Sequence, residues 1–124
     1  MPVVSSRLAA CLLENASSDL QLVPVKVSGT DEPHYVVNVC SVVPCIAEPE
    51  TKVVRWLPHD GRPEKVGTFR MMVEPVLTAE LHARESIFRA KGWEIMLLCT
   101  ASLKAALLRG GFTGIELVDL PYRE

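Results

Sequence analysis

Tyr35-Val36-Val37-Asn38-Val39-Cys40-Ser41-Val42-Val43-Pro44-Cys45-Ile46 is the stretch that decides how this chain folds. With the two-residue period of a strand, Tyr35, Val37, Val39, Ser41, Val43 and Cys45 fall on one face and Val36, Asn38, Cys40, Val42, Pro44 and Ile46 on the other. Both faces are largely apolar. A β-branched run that spares no face for water belongs in the middle of a sheet covered on both sides, and Pro44, which has no N–H to give, marks the end of its ladder. The pattern predicts a central strand over residues 35–46. Asn38, isolated among Val36, Val37, Val39 and Cys40, is expected to be buried and hydrogen-bonded, because an unpaired amide there costs about 1 to 3 kcal/mol.

Towards the N-terminus, Ser5 or Ser6 is placed to cap a helix whose positions Leu8, Cys11, Leu12 and Ala16 follow a buried stripe's three-and-four spacing and which ends near Asn15. Ser17, Ser18 and Asp19 make a turn. Leu20 to Val27 reads as a strand with Val23, Val25 and Val27 on one face, and Pro24 favours an edge or a bulge. Towards the C-terminus, Ala47 to Gly67 is punctuated by Pro49, Pro58, Gly61 and Pro63. It reads as a short strand at Val53-Val54-Arg55-Trp56 followed by a long ordered loop, with a tight turn at His59-Asp60-Gly61-Arg62-Pro63. Thr68 to Val76 reads as a strand placing Phe69, Met71 and Val73 inward and Arg70, Met72 and Glu74 outward.

Thr78 to Glu85 has room for one or two helical turns, Ser86 to Gly92 reads as a turn, and Trp93 to Thr100 as a strong strand. Thr100 or Ser102 then caps a second helix with Leu103, Ala106 and Leu107 inward, which Gly110-Gly111 stops. Ile115 to Leu120 reads as the last strand. Residues 5–25 and 100–120 align without a gap, with Leu8 on Leu103, Ala10 on Ala105, Leu12 and Leu13 on Leu107 and Leu108, and Leu22-Val23 on Leu117-Val118. Shared helix and strand patterning suffices to produce such a match. Duplicated or not, two helices of similar length, at about 5–15 and 101–109, are expected to cover a sheet centred on residues 35–46. The fold class is α+β with a mixed sheet.

A chain of 124 residues, 48% hydrophobic and 23% charged, reads as one domain over 1–124 with a single core. The net charge of −2 and the scatter of Lys and Arg argue against nucleic acid. No apolar run approaches the roughly 20 residues that cross a bilayer. Ser5, Ser6 and Arg7 interrupt the first residues, unlike a signal peptide, so a cytoplasmic protein with no membrane partner is expected. Cys11, Cys40, Cys45 and Cys99 lie in apolar settings without a close pair and read as buried reduced thiols.

His34, His59 and His82 all fall in predicted loops or turns. Glu80, His82 and Glu85 are close enough to ligate one ion if their segment is helical, but two carboxylates and a histidine without a fourth ligand read as a solvated helix face, and no metal or cofactor is expected. The phosphate-binding Gly-rich loop, the Gly-x-Ser-x-Gly turn and the His-Glu-x-x-His helix are absent, so no catalytic residue is assigned and the weight moves to binding. Aromatic and Arg side chains dominate interface hot spots. The candidates are Trp56, Trp93, Phe88, Arg55, Arg62, Arg70 and Arg89, of which Trp93 and Phe88 suit a core and Trp56, beside a long polar loop, suits a surface anchor.

Val3-Val4-Ser5-x-x-Leu8, Val23-Pro24-Val25, Tyr35-Val36-Val37-Asn38-Val39, Cys45-Ile46, Asp60-Gly61-Arg62-Pro63-x-Lys65-Val66-Gly67, Ile87-Phe88-Arg89-x-x-Gly92-Trp93 and the run from Lys104 to Gly114 occur in order along most of the chain. In these pieces the sequence resembles the myxobacterial-type immunity proteins of bacterial polymorphic-toxin systems. The Asp-Gly-Arg-Pro and Phe-Arg-x-x-Gly-Trp pieces are the most specific. The resemblance implies a non-catalytic protein that binds a cognate toxin and blocks it by occlusion. With the loop reading, it makes Trp56, Asp60, Arg62, Lys65 and Arg70 the candidate partner-binding set. The alternative is a small enzyme or ligand-binding domain with a pocket between the Asp60 loop and the end of the central strand.

Overall fold

A computed structural model describes residues 2–48, 50–78 and 86–123. In chain order its elements are β1 (Val3–Ser5), α1 (Ser6–Ala16), β2 (Leu20–Val25), β3 (His34–Val39), β4 (Val42–Val43), β5 (Lys52–Arg55), β6 (Phe69–Val73), β7 (Leu77–Thr78), β8 (Ile87–Ala90), β9 (Trp93–Cys99), α2 (Ala101–Gly110) and β10 (Tyr122–Arg123). The architecture is α+β. The described residues divide into two compact units, one within Met1–Ser41, Ala83–Phe88 and Leu97–Leu117, the other within Val42–His82, Arg89–Met96 and Val118–Glu124.

In the first unit β3 is the middle of a three-stranded antiparallel sheet, ordered β1-β3-β2. It is central, as the sequence predicts, but it stops at Val39. The register explains why. Leu20, the first residue of β2, lies opposite Val39, and beyond that point β2 has turned back into α1, leaving β3 no ladder to extend. Val42 and Val43 instead pair, in parallel, with Arg89 and Ala90. Pro24 sits on edge strand β2, where a missing N–H costs least.

Ser5 caps α1 by accepting the Leu8 N–H, and Thr100 caps α2 by accepting the Leu103 N–H, each at 3.3 Å. Gly111, at φ 62°, takes the left-handed conformation that ends α2. Leu12 and Ala16 from α1, Leu103 and Leu107 from α2, Leu20, Val37 and Val39 form one buried cluster. At about 1.5 to 3 kcal/mol for each buried Leu or Val, this seam outweighs any exposed ion pair, worth about 0 to 1 kcal/mol.

Asn38 departs from expectation. It is half-buried, with its amide Nδ2 4.0 Å from the Cys40 Sγ, because the face it occupies is not covered as the Val37 and Val39 face is. His34 lies in β3 and not in a loop, with Nδ1 2.9 Å from the Glu32 carbonyl oxygen. Ile115 to Leu120 forms no strand. Gly114 at φ 78° breaks the extended path, Leu117 packs on the core, and Val118 is exposed, so the second helix does not lead into a strand as the first does.

In the second unit β5 and β6 pair antiparallel, β4 and β8 run parallel with β9 next in order, and β7 pairs in parallel with β10. Small separate sheets therefore replace the single mixed sheet that the sequence suggests. Residues 86–92 are not one turn: β8 occupies most of them, and Lys91-Gly92 is the short link to β9. Gly92 has φ 86°, a conformation that favours glycine, and a Cβ there would stand a tight 3.2 Å from the Phe69 ring. The expected helical turns at 78–85 lie, apart from Thr78 in β7, outside the described residues.

The register of β6 corrects the sequence reading most sharply. Val54 lies opposite Met71, but Arg55 lies opposite Phe69, so Arg70 is an extra residue in the ladder. A bulge of this kind interrupts strict alternation. Phe69 is buried and Met72 half-buried, whereas Met71 and Val73, expected inward, are exposed.

Of the cysteines, Cys45 is fully buried, Cys11 and Cys99 are half-buried, and Cys40, against expectation, is exposed; none is in a disulfide. Cys40 lies just beyond the end of β3, where the ladder no longer covers it.

Asp19, read from sequence as a turn residue, is 6% exposed. Its Oδ2 accepts the Ser86 N–H at 2.7 Å, and its backbone carbonyl accepts the Cys40 N–H at 2.9 Å. Replacing Asp19 with Ala strands the Ser86 N–H, and the expected loss is about 1 to 3 kcal/mol. Asn keeps an acceptor oxygen and is expected to lose less. Chemical denaturation of Asp19→Ala and Asp19→Asn beside the parent checks the order, and equal stability of all three would remove the bond's importance.

Candidate functional site

The loop after β5 is built by two short turns. Pro58 fixes the entry to the first, in which the Asp60 N–H donates to the Leu57 carbonyl at 3.0 Å while the Leu57 N–H donates to Asp60 Oδ2 at 2.8 Å. Gly61, at φ 79°, reverses the chain. Pro63 begins the second turn, closed by Lys65 N–H to the Arg62 carbonyl at 3.0 Å. At the base, Trp56 N–H donates to the Thr68 carbonyl at 3.0 Å and Gly67 N–H to the Trp56 carbonyl at 3.3 Å. A loop whose backbone is bonded to itself in this way holds its side chains in place.

Four of the five candidate residues come together here. The half-buried Trp56 ring has Lys65 Nζ 5.3 Å and Arg70 Cζ 5.0 Å from its centroid, both within cation–π range. Arg70 Nη1 lies 3.3 Å from Asp60 Oδ1, and the Asp60 side chain is 11% exposed. His59 Nε2 is 3.7 Å from the same oxygen. The bulge at Arg70 is therefore what brings its guanidinium to Trp56 and Asp60.

Arg62, the fifth, is not part of this cluster. Its recorded contact is with Glu64 at 4.0 Å, both side chains more than half exposed, a pair with little stabilising value. Arg55 is committed internally: it pairs with Glu48, donates to the Gly67 carbonyl at 2.5 Å and stacks 4.7 Å from the Phe69 ring centroid. Arg89 donates to the Glu94 carbonyl at 2.7 Å, Phe88 is buried and Trp93 is half-buried. Sequence reading missed the exposed apolar residues of the same region, Leu57, Val66 and Met71. Nothing in the pattern signals Met71, because the bulge that turns it outward is a property of the pairing.

A cavity of about 250 Å³ lies elsewhere, in the first unit, lined by Leu8, Val37, Leu98, Cys99, Leu103, Leu117 and further apolar residues with Glu116 as the one acid. It does not involve the Asp60 loop, where the alternative reading expects a pocket. Burial raises the Cys99 thiol pKa, partly opposed by the charge of Lys104, and raises that of Cys45 from 9.0 to about 11. Burial thus disfavours the reactive thiolate at both. Among the described residues no cluster of His, Cys, Asp and Glu could hold a metal ion; Glu80, His82 and Glu85 lie outside them.

A family model described as Immunity protein family (Imm11) matches residues 1–121. No curated protein and no solved structure matches the chain.

Thiol labelling at pH 8 is expected to modify Cys40 first and Cys45 last, and Cys40→Ser to remove the fast phase; fast labelling of Cys45 contradicts its burial. The neutral Cys45 thiol favours the folded state fully below about pH 9, and this contribution is lost as pH rises through about 11. Asp60→Ala removes both the acceptor for Leu57 and the partner of Arg70. The expected cost is about 1 kcal/mol, with a red shift of Trp56 emission in a Trp93→Phe background as the ring gains water. An unchanged spectrum and midpoint would show that Asp60 does not hold the loop.

Proposed function

The chain belongs to the Immunity protein family (Imm11), and we propose on that premise that it neutralises a cognate bacterial toxin by binding it and occluding a surface the toxin needs. The family match over residues 1–121 carries the reading. Binding requires no catalytic group of this chain; it requires a surface whose shape and charge are set before the partner arrives.

Residues 53–67 with Arg70 supply the contact surface in this reading. The loop is fixed by its own backbone bonds, two cations stand within cation–π range of the Trp56 ring, and the Arg62 side chain, later in the same loop, is more than half exposed. A Trp flanked by charges is the side-chain chemistry that concentrates binding energy at interfaces. The partner is a toxin protein, with neither nucleic acid nor membrane involved, and the site of action is the cytoplasm. Among the described residues, no helix is long and apolar enough to cross a membrane.

The test uses the cognate toxin domain, mixed with purified protein and followed by calorimetry and by survival of toxin-expressing cells. Trp56→Ala with Arg62→Glu is expected to leave the chain folded while weakening binding by about 2 kcal/mol or more, as hot-spot losses do. Unfolding of the double variant would assign Trp56 to the core. Normal folding with normal protection would move the interface away from this loop.

A further inference from the structure

The cations around Trp56 outnumber the carboxylates that answer them. Asp60 is the acid of the cluster, and it is consumed: Oδ2 accepts the Leu57 N–H, while Oδ1 faces Arg70 at 3.3 Å and His59 at 3.7 Å. Glu64 stands beside Arg62. Lys65 sits over the Trp56 ring and forms no ion pair among the described residues, and Arg70 has engaged Asp60 through Nη1, with other donors of its fork unassigned. Two cations are thus held against one aromatic ring, one of them without a counter-charge.

The same loop and hairpin also carry exposed apolar side chains. Leu57 and Val66 are 49% and 44% exposed, and the cross-strand pair Val54 and Met71 is 44% and 52% exposed. Scattered exposed apolar residues need no explanation, but these belong to the same loop and hairpin as the unanswered positive charge. A polyphosphate backbone is a poor match, because Glu64 and Glu74 lie on the same loop and hairpin and no basic stripe continues from it.

We propose, resting on the immunity reading above, that this cluster receives an acidic segment of the partner protein: a carboxylate that answers Lys65, and Arg70 where it reaches, beside the Trp56 ring, with a neighbouring apolar side chain against Leu57, Val66 or Met71. Cation–π contact pre-positions the Lys65 ammonium, so less freedom is lost when the carboxylate docks. Charge complementarity of this kind fixes register and speeds encounter.

The experiment uses two probes. In a Trp93→Phe background, which leaves Trp56 as the sole tryptophan, emission is titrated with a capped Val-Glu-Leu-Glu-Val peptide, its Gln counterpart and a thymidine oligonucleotide. The acidic peptide alone is expected to give a saturable change. Lys65→Met, which keeps an unbranched apolar side chain and removes the charge, is expected to abolish that change and to weaken binding of the cognate toxin domain about tenfold, with a flatter salt dependence. Equal response to the Glu and Gln peptides, or no response to either, together with unchanged toxin affinity in Lys65→Met, overturns the carboxylate assignment. If Trp56→Ala with Arg62→Glu still weakens the toxin complex in that case, the interface reading survives its loss. Response to the oligonucleotide alone overturns the choice of a protein segment.

Discussion

Asp19 is where three distant pieces of the first unit are tied. The Asp19 N–H donates to the Ala16 carbonyl at the end of α1, its carbonyl accepts the Cys40 N–H just past β3, and its carboxylate accepts the Ser86 N–H. The Ser86 carbonyl in turn accepts the Thr100 N–H, and Thr100 caps α2. One buried residue, through its backbone and its carboxylate together, therefore links the exit of one helix, the end of the central strand and the entry of the other helix. Hydrophobic burial makes α1, α2 and β3 associate, but it is non-directional. The bond network at Asp19 supplies the direction. Arg7 acts at the opposite ends of the helices, donating to the Gly110 carbonyl at 2.6 Å and stacking 4.2 Å from the Phe112 ring centroid.

The second unit depends on a different device. One extra residue in the β5–β6 ladder, at Arg70, brings a guanidinium to Trp56 and Asp60 and leaves Met71 exposed. A bulge can do this because the side-chain period of a strand is two: a single insertion exchanges the faces beyond it. The polar cluster and the apolar skirt of the candidate interface thus share one backbone cause. Glycine at 92 helps fix the arrangement, since its carbonyl accepts the Phe69 N–H at 3.1 Å and its missing Cβ leaves room for the Phe69 ring. The chain belongs to an immunity protein family; that the Trp56 loop is its contact surface is our proposal.

The sequence by itself determined the local structure. Both helices, with their Ser5 and Thr100 caps and the Gly111 stop, were legible because caps and periodicity act over a few residues. The centrality of His34–Val39 and the turn chemistry of the Asp60 loop were legible for the same reason. Tertiary structure alone decided where β3 ends, that residues 115–120 form no strand and that Arg70 is an extra residue in its ladder. It also decided that Arg62 stands outside the Trp56 cluster and that Asp19 is buried. These outcomes depend on which partner strand or backbone donor is present across the space, and no residue pattern along one strand encodes its partner's register.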